Sequence, residues 1–330
     1  MLSKLRGWRG ISVAVTVLML AAGGPAMAQD QASFEKRLTV HTLANGYTLL
    51  ILERPGAPVF SFATRVDVGS AQEVPGITGL AHMFEHMAFK GTPRLGTTDF
   101  EKEKVAIAEL EAAYIAYERA RGVRQPDPAE VDRLLKVFKE KEAAAQAFVV
   151  PNAFDEVVSR EGGVGLNAGT SAEATTYYYS LPTNKFELFA YLESERFIHP
   201  VYREFYKERD VVMEERRQRT ESQPIGKLVE RMLGSAFLAH PYKQPTVGYM
   251  SDLQRFTMTD AEQFFRKYYV PANMVTAIVG NVKADEIIPV LEKYFGRLPR
   301  GDKPAPIRTI EPPQSAEVHP IAASTAQQDR

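Results

Sequence analysis

The pentapeptide His82-Met83-Phe84-Glu85-His86 has the residue types and the spacing of a metal-binding motif. On a helix the two histidines lie one turn apart on one face, so both imidazoles can reach a single ion, with Glu85 beside them. Imidazole and carboxylate groups are typical zinc ligands and also suit other divalent ions. The pattern H-x-x-E-H therefore predicts a divalent-metal site, with a pair of ordinary surface histidines as the alternative.

A catalytic zinc site usually has three protein ligands, so the motif needs a third ligand from elsewhere in the chain. None of the other histidines is singled out by its position: His41, His199, His240 and His319. Carboxylates are abundant at 204–221, where Glu208 and Glu215 lie two turns apart on one face of a predicted helix. From the residues alone either glutamate could be the third ligand, and an exposed charged helix is the alternative.

The elements that must position these residues follow from hydrophobic periodicity and turn signals. Alternating apolar residues on both sides of Asn45-Gly46 predict a β-hairpin. Further strands are predicted at 59–68, 162–167, 175–181 and 274–279. Helices are predicted at 80–89, which carries the motif, and at 184–197, 203–220 and 284–295. This irregular alternation predicts an α+β fold with a mainly antiparallel mixed sheet covered by helices.

Residues 100–148 are rich in Ala, Glu, Lys and Leu, and the segment 121–128, with one glycine and two prolines, interrupts them. This pattern predicts a helical hairpin. Its charges could mark a coiled-coil partner surface, but the interpretation that we favour is a solvated helix face.

The residues around the motif resemble the M16 family of zinc metallopeptidases, which includes pitrilysin, insulin-degrading enzyme and mitochondrial processing peptidase. The segment GLAHMFEHMAFKGT at 79–92 is similar to the inverted-zincin signature of that family. Three later segments are similar to family motifs in the same order: NAGTSAEATTY at 167–177, ERDVVMEE at 208–215 and YYVPANM at 268–274. The resemblance covers residues 35–300 and implies an M16-like peptidase domain of the fold predicted above.

Carried over position by position, the resemblance implies a zinc-dependent endopeptidase that hydrolyses peptides or unfolded segments. His82, His86 and Glu215 would bind one zinc ion, and Glu208 would orient a zinc-binding imidazole through its free N–H. The metal would lower the pKa of its bound water, and Glu85, as general base, would take the proton and pass it to the leaving amine.

The resemblance also implies a binding site for the peptide substrate. Its residues would form an exposed strand edge beside the metal: Asn167, Ala168, Gly169 and Thr170. An extended peptide would add to this edge as another strand, and pairing through the backbone would tolerate many substrate sequences.

The sequence departs from the family pattern in two places. The gap between His86 and Glu215 is longer than usual, so we expect 100–148 to be an insertion that leaves the metal site intact. Family members normally continue into a second, similar domain, whereas here a proline-rich linker and a tail expected to be disordered follow at 301–330. The alternatives to an active endopeptidase are a non-catalytic peptide-binding or structural subunit, or a truncated half that needs a second M16 domain in trans.

Residues 1–28 have the layout of a signal peptide. Three basic residues precede an apolar run at 11–22 and the small-x-small cleavage site Ala26-Met27-Ala28. The run is too short to cross a bilayer as a helix, so we expect cleavage after Ala28, a periplasmic or secreted protein and no stable membrane span.

Composition narrows the function classes further. Removing residues 1–28 changes the formal charge from 40 − 41 = −1 to 37 − 41 = −4, which argues against a nucleic-acid partner. The chain has no cysteine, so its stability must come from a buried core or a metal and not from disulfides.

Overall fold

A computed structural model of the chain describes residues 34–317 and residue 319. The predicted signal peptide at 1–28 lies outside the described residues, as does most of the segment from 318 onward. None of the helices within 34–317 combines the length and the apolar character needed to cross a membrane.

One six-stranded mixed sheet organises the fold. Its strands in chain order are β1 (Leu38–Thr42), β2 (Thr48–Glu53), β3 (Val59–Val66), β4 (Val164–Thr170), β5 (Thr175–Pro182) and β6 (Met274–Gly280). Their spatial order is β1-β2-β6-β3-β5-β4. β6 is parallel to β2 and antiparallel to β3, and the pairs β3·β5 and β4·β5 are also antiparallel. The prediction of a mainly antiparallel mixed sheet is confirmed.

Ten α-helices belong to the described part of the chain. They are α1 (Leu80–Met87), α2 (Phe100–Arg121), α3 (Pro128–Gln146), α4 (Ala153–Arg160), α5 (Phe186–Ile198), α6 (Phe205–Arg216), α7 (Pro224–Ala236), α8 (Met250–Leu253), α9 (Met258–Tyr268) and α10 (Ala284–Phe295). Patterns in the sequence predict α1, α2, α3, α5, α6 and α10 but not the other four helices.

The turn between β1 and β2 follows the sequence signal closely. The Leu43 N–H donates to Tyr47 O at 2.8 Å, and the Gly46 N–H donates to Leu43 O at 2.9 Å. Gly46 has φ +97°, which is the left-handed region that glycine adopts without steric cost.

The core lies between the sheet and helices α5 and α10. On β3, Phe60 and Phe62 are buried, and both rings contact Phe189 of α5 at centroid distances of 5.4 and 4.3 Å. On the neighbouring part of the sheet, the Tyr47 ring lies 5.0 Å from that of Phe295 of α10. Each such side chain contributes about 1.5–3 kcal/mol by leaving water, so this layer is a main source of stability in a chain without disulfides.

Helices α2 and α3 form an antiparallel pair within 100–148, as the sequence predicts. The rings of Tyr114 and Phe138 lie 5.2 Å apart, and Lys141 forms an ion pair with Glu109 at 2.6 Å. The pair packs on α6, where the Tyr206 ring lies 4.1 Å from that of Tyr114. The hairpin is therefore packed against the helix that carries Glu208 and Glu215.

Candidate metal centre

Helix α1 is held at its N-terminus by a buried carboxyl group. Glu73 is 3% exposed and accepts N–H bonds from Gly79 at 2.8 Å and from Ala81 at 2.7 Å. Burial raises the pKa of Glu73 to about 8, against the effect of these two bonds. Gly79 has φ +99°, and a Cβ there would lie 2.8 Å from Val247 O, so the tight start of α1 requires glycine.

The two faces of α1 have different environments. Phe84 is buried, and its ring contacts those of Phe265 and Tyr269 at centroid distances of 5.3 Å in both cases. This packing fixes the rotation of the helix. His82, Glu85 and His86 lie on another face because their spacing of three and four residues matches one helical turn.

Three donor atoms from α1 and α6 converge. Glu215 Oε2 lies 3.6 Å from His82 Nε2 and 3.5 Å from His86 Nε2, and the three ligand atoms all lie within 4.8 Å of one another. A tetrahedral zinc ion with bonds of about 2.0–2.1 Å places neighbouring donors about 3.4 Å apart. The chemistry and the spacing of this donor set therefore fit zinc.

Glu208 occupies a different place from Glu215. Its Oε2 lies 3.3 Å from His86 Nδ1, the ring nitrogen that does not face Glu215. Among the described residues Glu215 therefore contacts both histidines, whereas Glu208 contacts His86 and not His82.

The electrostatics of the group follow from this arrangement. Burial and the neighbouring His86 lower the pKa of His82. Burial also acts to lower the pKa of His86, but its hydrogen bonds to Glu208 and Glu215 outweigh that effect and raise the pKa to about 9. The hydrogen bond with His86 holds the pKa of Glu215 below its ordinary value. The raised pKa favours the protonated form of His86, whose ring lies between the carboxylates of Glu208 and Glu215.

Glu85 lies on the same helix face as His82 and His86, but its described hydrogen bond is to neither of them. Its Oε2 accepts a hydrogen bond from Thr170 Oγ1 at 2.7 Å. Glu85 and His86 also line a cavity of about 270 Å³, whose far wall is formed by 149–153. The carboxylate is oriented by one neutral donor and faces open space.

Strand β4, which carries Thr170, lies at the edge of the sheet. Its neighbour is β5, with Asn167 opposite Tyr178 and Thr170 opposite Thr175. Asn167 and Gly169 are exposed, while Ala168 and Thr170 are half-buried. The predicted strand edge thus exists among the described residues and ends at the residue that contacts Glu85.

Several contacts of this centre are not predicted from the sequence. One is that of Glu73, although an acidic residue shortly before a helix N-terminus is a recognisable signal. Another is that of Arg219, whose guanidinium contacts Glu215 Oε1 from the next helical turn and so leaves Oε2 to face the histidines.

A mixed α+β domain with a partly buried His-His-Glu group and an adjacent glutamate resembles the metallopeptidase type of domain. Two family models match the chain, one described as Insulinase (Peptidase family M16) at residues 49–141 and one as Peptidase M16 inactive domain at 255–327. The H-x-x-E-H residues lie within the first match, and Glu208 and Glu215 lie between the two. The chain belongs to the M16 peptidase family.

Relatives and solved structures agree with this assignment. The zinc protease PqqE of Helicobacter pylori is 28% identical over 294 residues, which are 88% of this chain and 53% of that protein. The crystal structure of a protease from Helicobacter pylori matches with a TM-score of 0.62 and 28% identity, over 83% of this chain and 54% of that chain. The periplasmic protease PqqL from Escherichia coli has a TM-score of 0.59 at 20% identity, over 87% of this chain and 26% of that chain, and shows the fold alone. The chain spans about half the length of the curated relatives that it matches.

Proposed function

We propose that this chain is the metal-binding half of a zinc-dependent endopeptidase that hydrolyses peptides or unfolded protein segments. The observation that carries the proposal is the convergence of His82, His86 and Glu215 beside Glu85. The zinc proteases among the relatives support it.

In this proposal His82 Nε2, His86 Nε2 and Glu215 Oε2 would hold one zinc ion. When bound, the ion would supply Lewis-acid chemistry toward the peptide carbonyl and the attacking water. Glu208 accepts the Nδ1–H of His86, which fixes the tautomer and the ring orientation of that histidine.

In this proposal Glu85 transfers a proton from the attacking water to the leaving amine. It takes a proton from the attacking water as the new C–O bond forms, and it returns the proton to the amine nitrogen as the C–N bond breaks. The Thr170 hydroxyl keeps one oxygen of Glu85 in place, so the other is free for this exchange. A positioned general base of this kind contributes about 10²- to 10⁴-fold to the rate.

The substrate would lie along β4 as an added strand. The backbone of an edge strand offers unpaired N–H and C=O groups to an extended peptide. A Cβ at Gly169 would meet nothing within 4 Å, so a chain can approach the backbone there. Such an edge accepts extended or unfolded segments and not a folded surface.

We also propose that the chain is exported to the periplasm or secreted. The layout of residues 1–28 supports this, and PqqL is named as a periplasmic protease. N-terminal sequencing of the protein from fractionated cells should find Gln29 as the first residue outside the cytoplasm. Intact Met1 on the mature protein would contradict the export proposal.

The test of the peptidase function is cleavage of a quenched fluorescent peptide library by the chain from residue 29, with chelator and with added zinc. Glu85→Gln should bind zinc like the parent and lose at least about 100-fold in cleavage rate, because the base is lost and the metal ligands remain. Glu214→Gln is a matched control, since Glu214 is exposed and its partners among the described residues are Arg217 and Gln218, just beyond the end of α6. Equal cleavage by parent and Glu85→Gln would contradict the assignment.

A second candidate is a half that binds zinc and peptide but needs another M16-type domain for turnover. The observation that favours it is an apolar stripe on α7 that is exposed among the described residues: Ile225, Leu228, Val229 and Met232. Exposed stripes of this kind mark surfaces that contact partners or ligands. Zinc binding without turnover by the parent chain would support this candidate, and metal-dependent turnover would support the first.

A further inference from the structure

Lys90 links the two helices that carry the metal centre. It lies three residues beyond the end of α1, and its Nζ atom is 3.0 Å from Glu204 Oε2 and also contacts Glu208 Oε1. The side chains are 18% exposed for Lys90, 6% for Glu204 and 13% for Glu208. Charges so far from bulk water are screened little by salt, so this contact is a fixed link and not a fluctuating surface pair.

The backbone is fixed at both ends of this link. On one side, the carbonyl of Lys90 accepts a hydrogen bond of 2.5 Å from Arg203 Nη1, and the Arg203 side chain is 1% exposed. On the other side, Glu204 directly precedes α6, and its backbone is in the left-handed conformation at φ +57°. A non-glycine residue pays about 1 kcal/mol or more for that conformation, so its surroundings must hold it there. The ammonium groups of Lys90 and Lys207 both bind the Glu204 carboxylate.

Glu208 connects Lys90 to the metal centre. One of its oxygens contacts Lys90, and the other lies 3.3 Å from His86 Nδ1. A carboxylate with one oxygen held by an ammonium group cannot rotate away from the imidazole without breaking an ion pair that is mostly withdrawn from water. The contacts therefore form a continuous chain from Lys90 through Glu208 to His86.

We propose that Lys90 is a positioning residue of the metal centre, which holds Glu208 against His86 and fixes the end of α1 to the start of α6. The proposal rests on the proposed function, since it assumes that His86 binds the metal. Lys90 also lines the cavity beside Glu85, so contact with substrate is the competing role. The two roles differ in a measurable way, because positioning acts on zinc affinity in the absence of any peptide.

The experiment is the dissociation constant for zinc, measured by competition with a chromophoric chelator for the chain from residue 29. Lys90→Met should weaken binding by about 10- to 100-fold, as loss of partners behind metal ligands typically does. Lys90→Arg should recover most of the affinity. Lys207→Met is the matched control, because Lys207 pairs with Glu204 at 2.6 Å and, among the described ion pairs, has none with Glu208; it should stay within about threefold of the parent.

A double-mutant cycle tests whether Lys90 acts through Glu208. In a Glu208→Ala background, Lys90→Met should weaken zinc binding by less than about threefold, because the residue through which it acts is gone. Circular dichroism of the metal-free variants checks that each is folded. If Lys90→Met does not fold, Lys90→Gln, which keeps a neutral donor, takes its place in both measurements.

The outcomes separate this inference from the proposed function. Parental zinc affinity in Lys90→Met, an equal loss in Lys207→Met, or a full effect of Lys90→Met in the Glu208→Ala background would each overturn the positioning role. Parental affinity in His82→Ala would instead show that the metal site itself is wrongly assigned.

Discussion

Thr170 donates a hydrogen bond of 2.7 Å to Glu85, and this bond joins the last residue of edge strand β4 to the helix that carries both histidines. The two residues are 85 positions apart in the chain. One contact thus links the surface proposed to hold the peptide with the carboxylate proposed to move the proton.

Removal of this hydroxyl should impair catalysis without loss of metal. A hydrogen bond to a charged group is worth about 1.5–3 kcal/mol, so Thr170→Val should lower kcat/KM by about 10- to 100-fold. Zinc affinity should not change, because Thr170 contacts none of the three donor residues among the described contacts. Thr170→Ser keeps the hydroxyl and should stay close to the parent. The measurement is peptide cleavage under zinc saturation, and a Val variant as active as the Ser variant would contradict the role.

Zinc affinity should rise with pH. His86 keeps its proton up to about pH 9 in the metal-free chain and must lose a proton to bind zinc, whereas burial has already lowered the pKa of His82 below 6.5. Affinity should therefore increase by up to about tenfold per pH unit between pH 7 and 9 and level off above. Calorimetry in two buffers should find about one proton released per zinc ion at pH 7.

The control for this pH dependence is Glu208→Gln. It removes one of the carboxylates that raise the pKa of His86, so the rise in zinc affinity should end at a lower pH. The same raised pKa stabilises the metal-free fold below pH 6.5, and this contribution is lost as the pH rises through about 9. A zinc affinity that is constant from pH 7 to 9 would show that His86 does not bind the metal.

The buried pair of Arg203 and Glu103 should matter far more for stability than the surface pair of Lys141 and Glu109. The first pair is 1% and 0% exposed, and the second is 40% and 51% exposed. Glu103→Ala leaves an uncompensated buried charge and should lower the free energy of unfolding by about 3–5 kcal/mol. Glu109→Ala, on the same helix, should change it by less than about 1 kcal/mol. Urea unfolding of both variants measures the contrast, and equal effects would contradict it.

Glu73 should give the fold a specific pH dependence. Its pKa is raised from 4.5 to about 8 by burial, so between these values the folded chain keeps a proton that the unfolded chain has lost. The contribution of Glu73 to stability should therefore decrease as the pH rises from 4.5 to 8. Glu73→Gln does not titrate, so the difference in free energy of unfolding between parent and variant should change across this window. A difference that is constant from pH 5 to 9 would mean that the two N–H bonds keep the carboxylate ionised.

Local signals in the sequence are sufficient to predict many of the strands and helices of the fold. Asn45-Gly46 predicts the first hairpin, and apolar periodicity predicts α10 within the bounds that the structure has. Helix α9 also has a local signal at its start, since Thr257 and Asp260 form a capping box with N–H bonds of 3.0 and 2.9 Å. The pairing of β2 with β6 has no local signal, since it joins strands at opposite ends of the domain.

The candidate site likewise has some features with a local sequence signal and others without one. His82, Glu85 and His86 are close in sequence, and their spacing alone predicts a divalent-metal motif. The spacing of Glu208 and Glu215 could not say which glutamate faces the histidines, because both lie on one face of α6 and the answer depends on how α6 crosses α1. The contacts of Lys90 with α6 and of Thr170 with Glu85 are tertiary, so no pattern within a short segment could predict them.

The position of β6 has a consequence for the order in which the molecule can assemble. β6 lies between β2 and β3, although it is synthesised last of the six strands. Until residues 274–280 are in place, β2 and β3 each present an open edge, which is a template for aggregation. A chain that ends before Met274 would contain every residue of the metal centre and still lack an interior strand of its sheet. Loss of a segment that touches no metal ligand should therefore leave a newly made chain insoluble rather than merely inactive.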